Sequence, residues 1–398
     1  MMWDGLLLLS LAFVVYTYFG YPALLLALGR LKSLRLQEND PSSRNGYRPR
    51  VSVVIAAYNE RRNIEKRLQN LLASDYPRDL MEIVVVCDGC TDETAKLAAR
   101  FDGVKVIELA KRRGKAAAIN VGVQFAQGEI IVFADARPHF ATDTISRLVQ
   151  VLGDPNIGAV SGELILMAED GTPRALGLYW RYEKVLRSLE TRVDSIVVCT
   201  GAVYAIRKDL FTPIPEGLAV DDMWVPLHIA QKGYRVVFDR QAQAYDCLVH
   251  SFGAEFKRKV RTLAGNYQLI WAAPWLLVPW KNRLWWQFVS HKVCRLLVPY
   301  ALLGMYGASW MLLGTSYGKA LVVAQTGYYL LGTISWVFPV LARRFRIAGL
   351  AGSFLSLNAA AAVAPLAFIR GKGRVHWERS PMMSPQTTND EGQKVRTY

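Results

Sequence analysis

Between residues 51 and 134 the chain alternates short, unbroken apolar runs with stretches of helical periodicity and polar turns. The apolar runs VSVVIAA (51–57), IVVVC (83–87), 104–108 and 129–134 predict strands. The stretches 63–73, 92–101 and 116–126 predict helices, and a basic loop spans 111–115. Runs of β-branched residues with no polar alternation belong to strands buried on both faces. Their alternation with helices predicts successive βαβ units, and therefore an α/β domain with a mostly parallel, Rossmann-like sheet. The turn after the first strand reads Ala56-Ala57-Tyr58-Asn59-Glu60 and lacks G-x-G-x-x-G, which excludes a dinucleotide-binding site. No G-x-x-x-x-G-K-[ST] occurs either, so a P-loop nucleotidase is excluded.

Longer apolar stretches frame this region. Residues 5–28 carry no charge and are long enough to span a bilayer, which takes about 20 residues. A secretory signal is disfavoured because Met1-Met2-Trp3-Asp4 has no basic start and the apolar run is too long. Three more stretches follow at 296–318, 320–342 and 347–369. The pattern divides the chain into an N-terminal transmembrane helix (1–29), a basic linker (30–50), a central domain (51–268), a Trp-rich interfacial segment (269–295), C-terminal membrane helices (296–369) and a polar tail (370–398).

A net charge of +15 raises the question of nucleic acid. The charge is concentrated beside the apolar segments instead, at Arg30, Lys32, Arg35, Arg44, Arg48 and Arg50, and again at Lys257, Arg258, Lys259, Arg261, Lys281, Arg283, Lys292 and Arg295. Basic flanks mark the cytoplasmic side of a membrane, so no nucleic-acid partner is expected, the central domain is expected in the cytoplasm and the N-terminus outside. Three C-terminal spans would place the tail outside, against the basic Arg370, Lys372 and Arg374; either 347–369 does not fully cross or the charge rule fails there. The five cysteines are odd in number and imply no disulfide framework. Cys87-x-x-Cys90 has no second Cys or His pair at metal-ligand spacing and reads as structural thiols. None of the five histidines is assigned a catalytic role.

The candidate chemistry lies in aspartates. Two strands end on Asp88 and Asp135, and Asp221-Asp222 follow the turn Pro213–Gly217. Ligands of parallel sheets bind just beyond the carboxyl ends of the strands, so these carboxylates aim at one crevice. Asp88 suits either a contact to a base or ribose or a turn, and Asp92 suits a helix cap. Lys115, beside Gly114 at a helix start, suits an anionic group or plain surface. Asp135 suits Mg²⁺ or Mn²⁺ with a diphosphate, or a strand-ending turn. Asp221 and Asp222 suit a helix N-terminus, or a general base whose pKa is raised by its like-charged neighbour. The basic run 256–262 suits lipid head groups or a leaving diphosphate. Trp271, Trp275, Trp280, Trp285 and Trp286 suit an interfacial belt, with sugar stacking second.

In this order the motifs resemble the membrane-embedded inverting family-2 glycosyltransferases, a group with poly-N-acetylglucosamine, hyaluronan and cellulose synthases and ceramide glucosyltransferase. The resemblance covers about residues 50 to 300. It implies a GT-A nucleotide-sugar-binding fold joined to transmembrane helices, in a multi-pass membrane protein. In VSVVIAAYNE it implies that Ala57, Tyr58 and Glu60 lie near the uridine. It makes Asp88 of CDGCTDET a base contact, and Lys115 and Asn120 of RGKAAAIN part of the nucleotide wall. Asp135 matches the first acid of the D-x-D metal motif, and Arg137 stands in place of the second. Asp222 of VDDMW matches the catalytic base and Asp221 the acid before it. Thr200-Gly201-Ala202 resembles the loop near the acceptor. Arg258 and Arg261 occupy the place of the Q-x-x-R-W motif, whose Gln and Trp are missing here. The resemblance implies transfer from a nucleotide sugar, most simply a UDP-sugar, to a polysaccharide or lipid acceptor, with a divalent metal (Mg²⁺ or Mn²⁺), membrane lipids and accessory synthase subunits as partners. A single-sugar transferase to a ceramide-like or polyprenyl phosphate lipid, and a non-catalytic membrane scaffold, are the alternatives.

Overall fold

The computed structural model describes residues 1–33, 46–167, 178–247, 252–338 and 345–371. Most of the linker, His250 and the polar tail beyond 371 lie outside the described residues.

The four expected strands join four others in one eight-stranded sheet: β1 (Val51–Ala57), β2 (Met81–Asp88), β3 (Val104–Leu109), β4 (Ile130–Ala134), β5 (His139–Phe140), β6 (Ile157–Met167), β7 (Val203–Arg207) and β8 (Arg235–Cys247). Their order is β3-β2-β1-β4-β7-β6-β8-β5. The first four are mutually parallel, whereas β7 pairs antiparallel with both β4 and β6, so the sheet is mixed. Burial explains why β1 reads as an unbroken apolar run. Val51, Val53, Ile55 and Ala57 face one core, together with Ile83, Val85 and Val132 of the neighbouring strands. Val54 and Ala56 face the other, together with Val84, Val86 and Phe133. Both faces are covered by helices, so no position in the strand can be polar without a partner.

The helices of the domain are α2 (Ile64–Leu72), α3 (Thr94–Ala98), α4 (Lys115–Phe125), α5 (Thr144–Val151), α6 (Leu178–Val193) and α7 (Asp221–Gln231). The chain leaves β1 toward β2 and β3 on one side and returns to β4 on the other. That reversal opens a crevice beyond the carboxyl ends of β1 and β4, where Tyr58 and Asp135 stand.

The framing helices are α1 (2–33, with a π-turn at Tyr16–Gly20), α8 (Phe252–Ala272), α9 (285–311, with a π-turn at Val289–Val293), α10 (Ser316–Val337) and α11 (Arg346–Arg370). Among the described residues three helices are long and apolar enough to cross a membrane: Met2–Leu31, Ser316–Val337 and Ile347–Arg370. The expected span 296–318 is not one of them. Its helical part from Cys294 ends at Met311, carries Arg295 and Pro299, and gives way to a turn at which the Thr315 hydroxyl caps α10 through Gly318 N at 3.0 Å. This segment runs beside α1, joined to it by the 2.7 Å hydrogen bond between the Tyr16 and Ser290 hydroxyls.

The tryptophans divide by environment. Trp271 and Trp280 are 81% and 84% exposed. Trp286 donates to the Tyr16 hydroxyl at 3.0 Å, Trp285 donates to Leu277 O, and Trp275 packs edge-on against His228. Those three serve packing.

Candidate active site

The site is assembled from the ends of β1, β2 and β4, the start of α4 and the start of α7. After β1 the chain turns sharply at Asn59, whose φ of 54° is tolerated by asparagine. The Asn59 side chain accepts from Thr91 N at 2.9 Å, tying this turn to the one after β2. Glu60 N donates to the Thr94 hydroxyl, and its carboxylate accepts from Asn63 at 2.6 Å. Asp92 accepts from Thr94 N at 3.0 Å, as a turn aspartate just ahead of α3 does. Tyr58 presents its ring to the crevice wall with the Arg112 guanidinium stacked over it at 4.0 Å. A flat aromatic and a flat cation side by side suit a planar base.

Asp88 is fully buried, and its two oxygens accept the backbone N–H groups of Arg113 (2.7 Å) and Gly114 (2.8 Å). Its visible work is to order the basic loop that carries Arg112 and ends at Lys115. Asn120 is similarly engaged. Its amide donates to Ile214 O at 2.8 Å and accepts from Ile214 N at 2.9 Å, which pins the Pro213–Pro215 turn to α4.

Lys115 is the hub. Its ammonium lies 3.1 Å from Asp135 Oδ1 and 3.4 Å from Asp221 Oδ2, the latter without hydrogen-bond geometry. Burial opposes its charge, yet Asp135, Asp221 and Asp222 together hold its pKa above the ordinary value. Asp221 and Asp222 open α7, and the Cys199 N–H donates to Asp222 O at 2.9 Å. Burial raises the pKa of both carboxyls, and that of Asp222 reaches about 7. The Asp221 charge adds to the rise at Asp222, while Lys115, Lys292 and Arg187 oppose it. Asp222 is half-buried and Asp221 is only 5% exposed, so Asp222 is the one open to the crevice. A Cβ placed on Gly201 would sit 3.4 Å from Asp222 Oδ2, which puts the Thr200-Gly201 loop against this carboxyl.

Arg137 turns away from Asp135. It forms a bidentate pair with the buried Asp246, at 2.7 and 2.6 Å. The basic helix α8 reaches the site by a close crossing: a Cβ on Gly265 would lie 2.7 Å from Val220, the residue before Asp221. Gln268 braces the same loop by accepting from Ala219 N at 3.1 Å. Arg258 and Arg261 are half-buried on α8, and Lys259 donates to Ser356 of α11 at 3.3 Å. This run packs on protein as well as facing outward.

Ala57 is buried at the end of β1. The structure thus brings Tyr58, Lys115, Asp135, Asp221, Asp222 and Gly201 around one crevice, with Asp88 and Asn120 as braces behind it. Two further residues act here that the sequence reading passed over. Arg67 is fully buried, lies over the Phe140 ring at 4.0 Å and contributes its field to Asp135; burial pushes its pKa down to about 9. Its signal is an arginine on the same face of α2 as Ile64, Leu68 and Leu71. Arg187 donates to the Thr200 hydroxyl at 2.8 Å, and its signal is the run Glu183, Arg187, Glu190 on one face of α6.

Residues 52–211 match the model for the glycosyl transferase family 2. The chain is 23% identical over 232 residues to a poly-beta-1,6-N-acetyl-D-glucosamine synthase of Staphylococcus aureus, covering 55% of each protein. It is 27% identical over 175 residues to an N-acetylglucosaminyltransferase of Azorhizobium caulinodans, covering 42% of this chain and 44% of that one. The matches thus span about half the length of these relatives. A mannosyltransferase from Pyrobaculum calidifontis, solved with GDP-Man and Mn²⁺, superposes over 92% of this chain and 99% of its own, with a TM-score of 0.67 and 24% identity, and shows the fold to be of the GT-A type. The match to the family model, with this fold and a crevice ringed by Lys115, Asp135 and Asp222, means that the chain carries a glycosyl transferase family 2 domain.

Proposed function

We propose that the protein is an inverting glycosyltransferase that moves a sugar from a UDP-sugar to a glycan or lipid acceptor at the cytoplasmic face of a membrane. The observation that carries this reading is Asp222: a half-buried carboxyl at a helix start, raised toward neutrality, open to the crevice and faced by Lys115 and the Gly201 loop. Nucleotide binding is assigned to the wall of Ala57, Tyr58, Glu60 and Arg112, with the loop held by Asp88. Lys115, Arg261 and Arg258 are the cations for the diphosphate, and Arg137 acts indirectly by neutralising Asp246. The names of both relatives contain N-acetylglucosamine, which makes UDP-N-acetylglucosamine the first donor to test.

In the reaction, Asp222 accepts the proton of the acceptor hydroxyl as its oxygen attacks the anomeric carbon from the face opposite the diphosphate. The glycosidic bond to the diphosphate breaks in the same displacement, and configuration inverts. Lys115 holds the leaving charge in place, and its position between Asp135 and Asp221 prevents it from swinging away.

A divalent ion fits this site in a limited way. Asp135 is 40% exposed and is the one carboxylate of the altered motif, since Arg137 occupies the second place. Among the described residues no group of three His, Cys, Asp or Glu is arranged to hold a metal. Mg²⁺ is commonly held by one or two carboxylates together with substrate phosphates, so Asp135 plus the donor diphosphate is a workable set. When bound, the ion would add positive charge at the leaving oxygens. The expected result is that a chelator lowers sugar transfer by about 10²-fold, corresponding to the several kcal/mol such an ion supplies. Added Mn²⁺ or Mg²⁺ restores it; transfer unaffected by the chelator would remove the metal from the reading.

The pH profile supplies a second check. A base must be unprotonated, so kcat/KM should fall as pH drops below about 7, the value to which Asp222 is raised. Asp221→Asn removes a like charge and should move this acid limb to lower pH. A limb that stays in place in the variant would dissociate it from the aspartate pair. Screening UDP- and GDP-sugars for nucleotide release, followed by sizing of the labelled product, tests the donor and separates a polymer synthase from a single-sugar transferase. Absence of release from every donor would favour the scaffold alternative.

A further inference from the structure

The last helix, α11, is long and apolar enough to cross a membrane, yet its contacts keep both of its ends on one side. The levels are set by α1, α9 and α10. At the start of α1, Asp4 accepts from the Tyr317 hydroxyl at 2.5 Å, so α10 begins beside the N-terminus. At the other end of α1, a Cβ on Gly29 would lie 3.5 Å from Arg192 of α6, in the central domain. From Tyr317, α10 runs back along α9 toward that domain, with Gln325 donating to Ser309 at 2.7 Å and the Tyr329 ring 5.6 Å from Tyr306. By Trp336 it has climbed about 28 Å, close to the thickness of a hydrocarbon core. There α11 starts: a Cβ on Gly352 would lie 3.2 Å from the Ser335 side chain, and one on Gly332 would lie 3.1 Å from Ala351 O.

A helix crossing from that level would carry Phe368, about 24 Å further on, back to the level of Asp4 and Tyr317. Instead the Phe368 ring stacks on Tyr267 of α8, 6.2 Å between centroids. Tyr267 lies in the stretch of α8 that grips the domain, between Gly265 at Val220 and Gln268, which accepts from Ala219 N at 3.1 Å. Near the middle of α11, Lys259 of α8 donates to the Ser356 hydroxyl at 3.3 Å while pairing with Glu255 at 3.2 Å. Beside a spanning helix these charges would sit near the bilayer centre, where they are costly. The Phe354 side chain reaches inward from this level to the rings of Tyr18 and Tyr328, at 5.4 and 6.0 Å. α11 is also the most enclosed of the three apolar helices: 44% of its apolar stretch is buried, against 17% in each of the others.

We propose that α11 does not cross the bilayer but lies along its cytoplasmic surface, with the outer face of its second half docked in the cytoplasmic leaflet. That half has two faces. Ala360, Ala361 and Ala364 are buried between the two contacts with α8, and small side chains let helices approach closely. Val363, Leu366 and Ile369, on the other side, are exposed. An apolar stripe on an in-plane helix inserts about 5–10 Å into the boundary between head groups and chains. The occupant is lipid because α11 packs directly on the end of α10, whose own Ile334 and Val337 are exposed. The surface rests on the reading above, in which α1 and α10 span the membrane and the central domain is cytoplasmic. It leaves Arg370, Lys372 and Arg374 on the cytoplasmic side, where basic residues collect. With α8 between α11 and Val220, the leaflet lies about 20 Å, two helix diameters, from the start of α7 and the candidate base.

The test uses the full-length protein in sealed right-side-out vesicles and a membrane-impermeant maleimide, added before or after permeabilisation. One cysteine is added at a time: Ser316→Cys at the start of α10, Gln124→Cys on the central domain and Arg370→Cys at the end of α11. Labelling is read as the gain over the unsubstituted protein. Ser316→Cys should label in sealed vesicles, whereas Gln124→Cys and Arg370→Cys should gain label only on permeabilisation. Arg370→Cys that labels in sealed vesicles together with Ser316→Cys means that α11 crosses, and overturns the proposal. Ser316→Cys protected along with Gln124→Cys overturns the spanning of α10 and the surface with it. Gln124→Cys that labels in sealed vesicles overturns the cytoplasmic assignment. Leu366→Cys carrying a fluorophore then reports the occupant: lipids brominated near the head group should quench it more strongly than lipids brominated at the chain end. Stronger quenching by the chain-end lipids puts the stripe at the bilayer centre, and no quenching by either puts it under protein, a second copy or another chain; both outcomes overturn the docked face. None of these readouts depends on sugar transfer, so their failure is distinct from failure of the glycosyltransferase reading.

Discussion

Asp222→Asn should lower sugar transfer by about 10²–10⁴-fold, the range that a positioned general base contributes. The amide has the shape of the carboxyl, so the start of α7 and the hydrogen bond from Cys199 N to the backbone of residue 222 are kept. What is lost is the basic carboxylate oxygen that takes the acceptor proton, since an amide oxygen is far too weak a base to replace it. Donor affinity should change little, because the proposed nucleotide wall lies at β1, β2 and the loop before α4. The measurement is nucleotide release and product formation at saturating donor, with donor binding followed separately by calorimetry. Turnover of the variant at the wild-type rate would take the base role away from Asp222. Loss of donor binding would show that Asp222 belongs to the donor side.

Lys115→Met should be the most destabilising single change in the site. The methionine keeps the length of the side chain but leaves Asp221, 5% exposed, with no cation against it. Breaking a buried pair by removing one partner costs about 3–5 kcal/mol; the lower end applies here because Asp135 is 40% exposed and solvent screens it. About 3 kcal/mol corresponds to a fall in melting temperature of roughly 6–12 °C for a domain of this size. The sign of the pH effect follows from the direction of the Asp221 shift. Its pKa is raised in the folded protein, so the folded state binds the proton more tightly than the unfolded chain. The deficit of the variant should therefore be greatest above the raised pKa and shrink as pH falls. The double variant Lys115→Met/Asp221→Asn should recover most of the lost stability. A double variant no more stable than the single one would mean that Lys115 acts through packing rather than charge.

The two effects differ in how they were readable. The position of Asp222 was legible because an acid pair after a Pro-Gly turn marks a helix start, and its proposed role comes from the resemblance. The partner of Asp135 was not. The apolar strand before it indicates that this carboxylate needs a counter-charge, but only the packing of α4 against β1 and β2 brings Lys115 within 3.1 Å. Arg137 shows the same limit. The sequence places it two residues after Asp135, in the position of the missing acid, whereas the structure commits it to Asp246, 109 residues later. The backbone groups that Asp88 and Asn120 satisfy belong to loops that only the fold makes adjacent. The shortened helix at 294–311 has a local cause that was visible, the Gly-Thr-Ser turn after Leu313, but apolar content alone masked it.

By itself, the sequence determined what depends on neighbours along the chain. Unbroken β-branched runs dictate strands buried on both faces, the helical stretches between them dictate parallel connections, and the charge-free run 5–28 dictates a membrane-length helix. It also placed aspartates at strand ends, which is enough to locate the crevice. Tertiary structure decided what depends on partners far apart in sequence: that Lys115 bridges Asp135 and Asp221, that Arg137 is neutralised by Asp246, and that Arg187 reaches the Thr200 hydroxyl. The physical reason is that a buried charge is governed by the nearest opposite charge and by the water excluded around it. Neither distance is written in a linear order of residues.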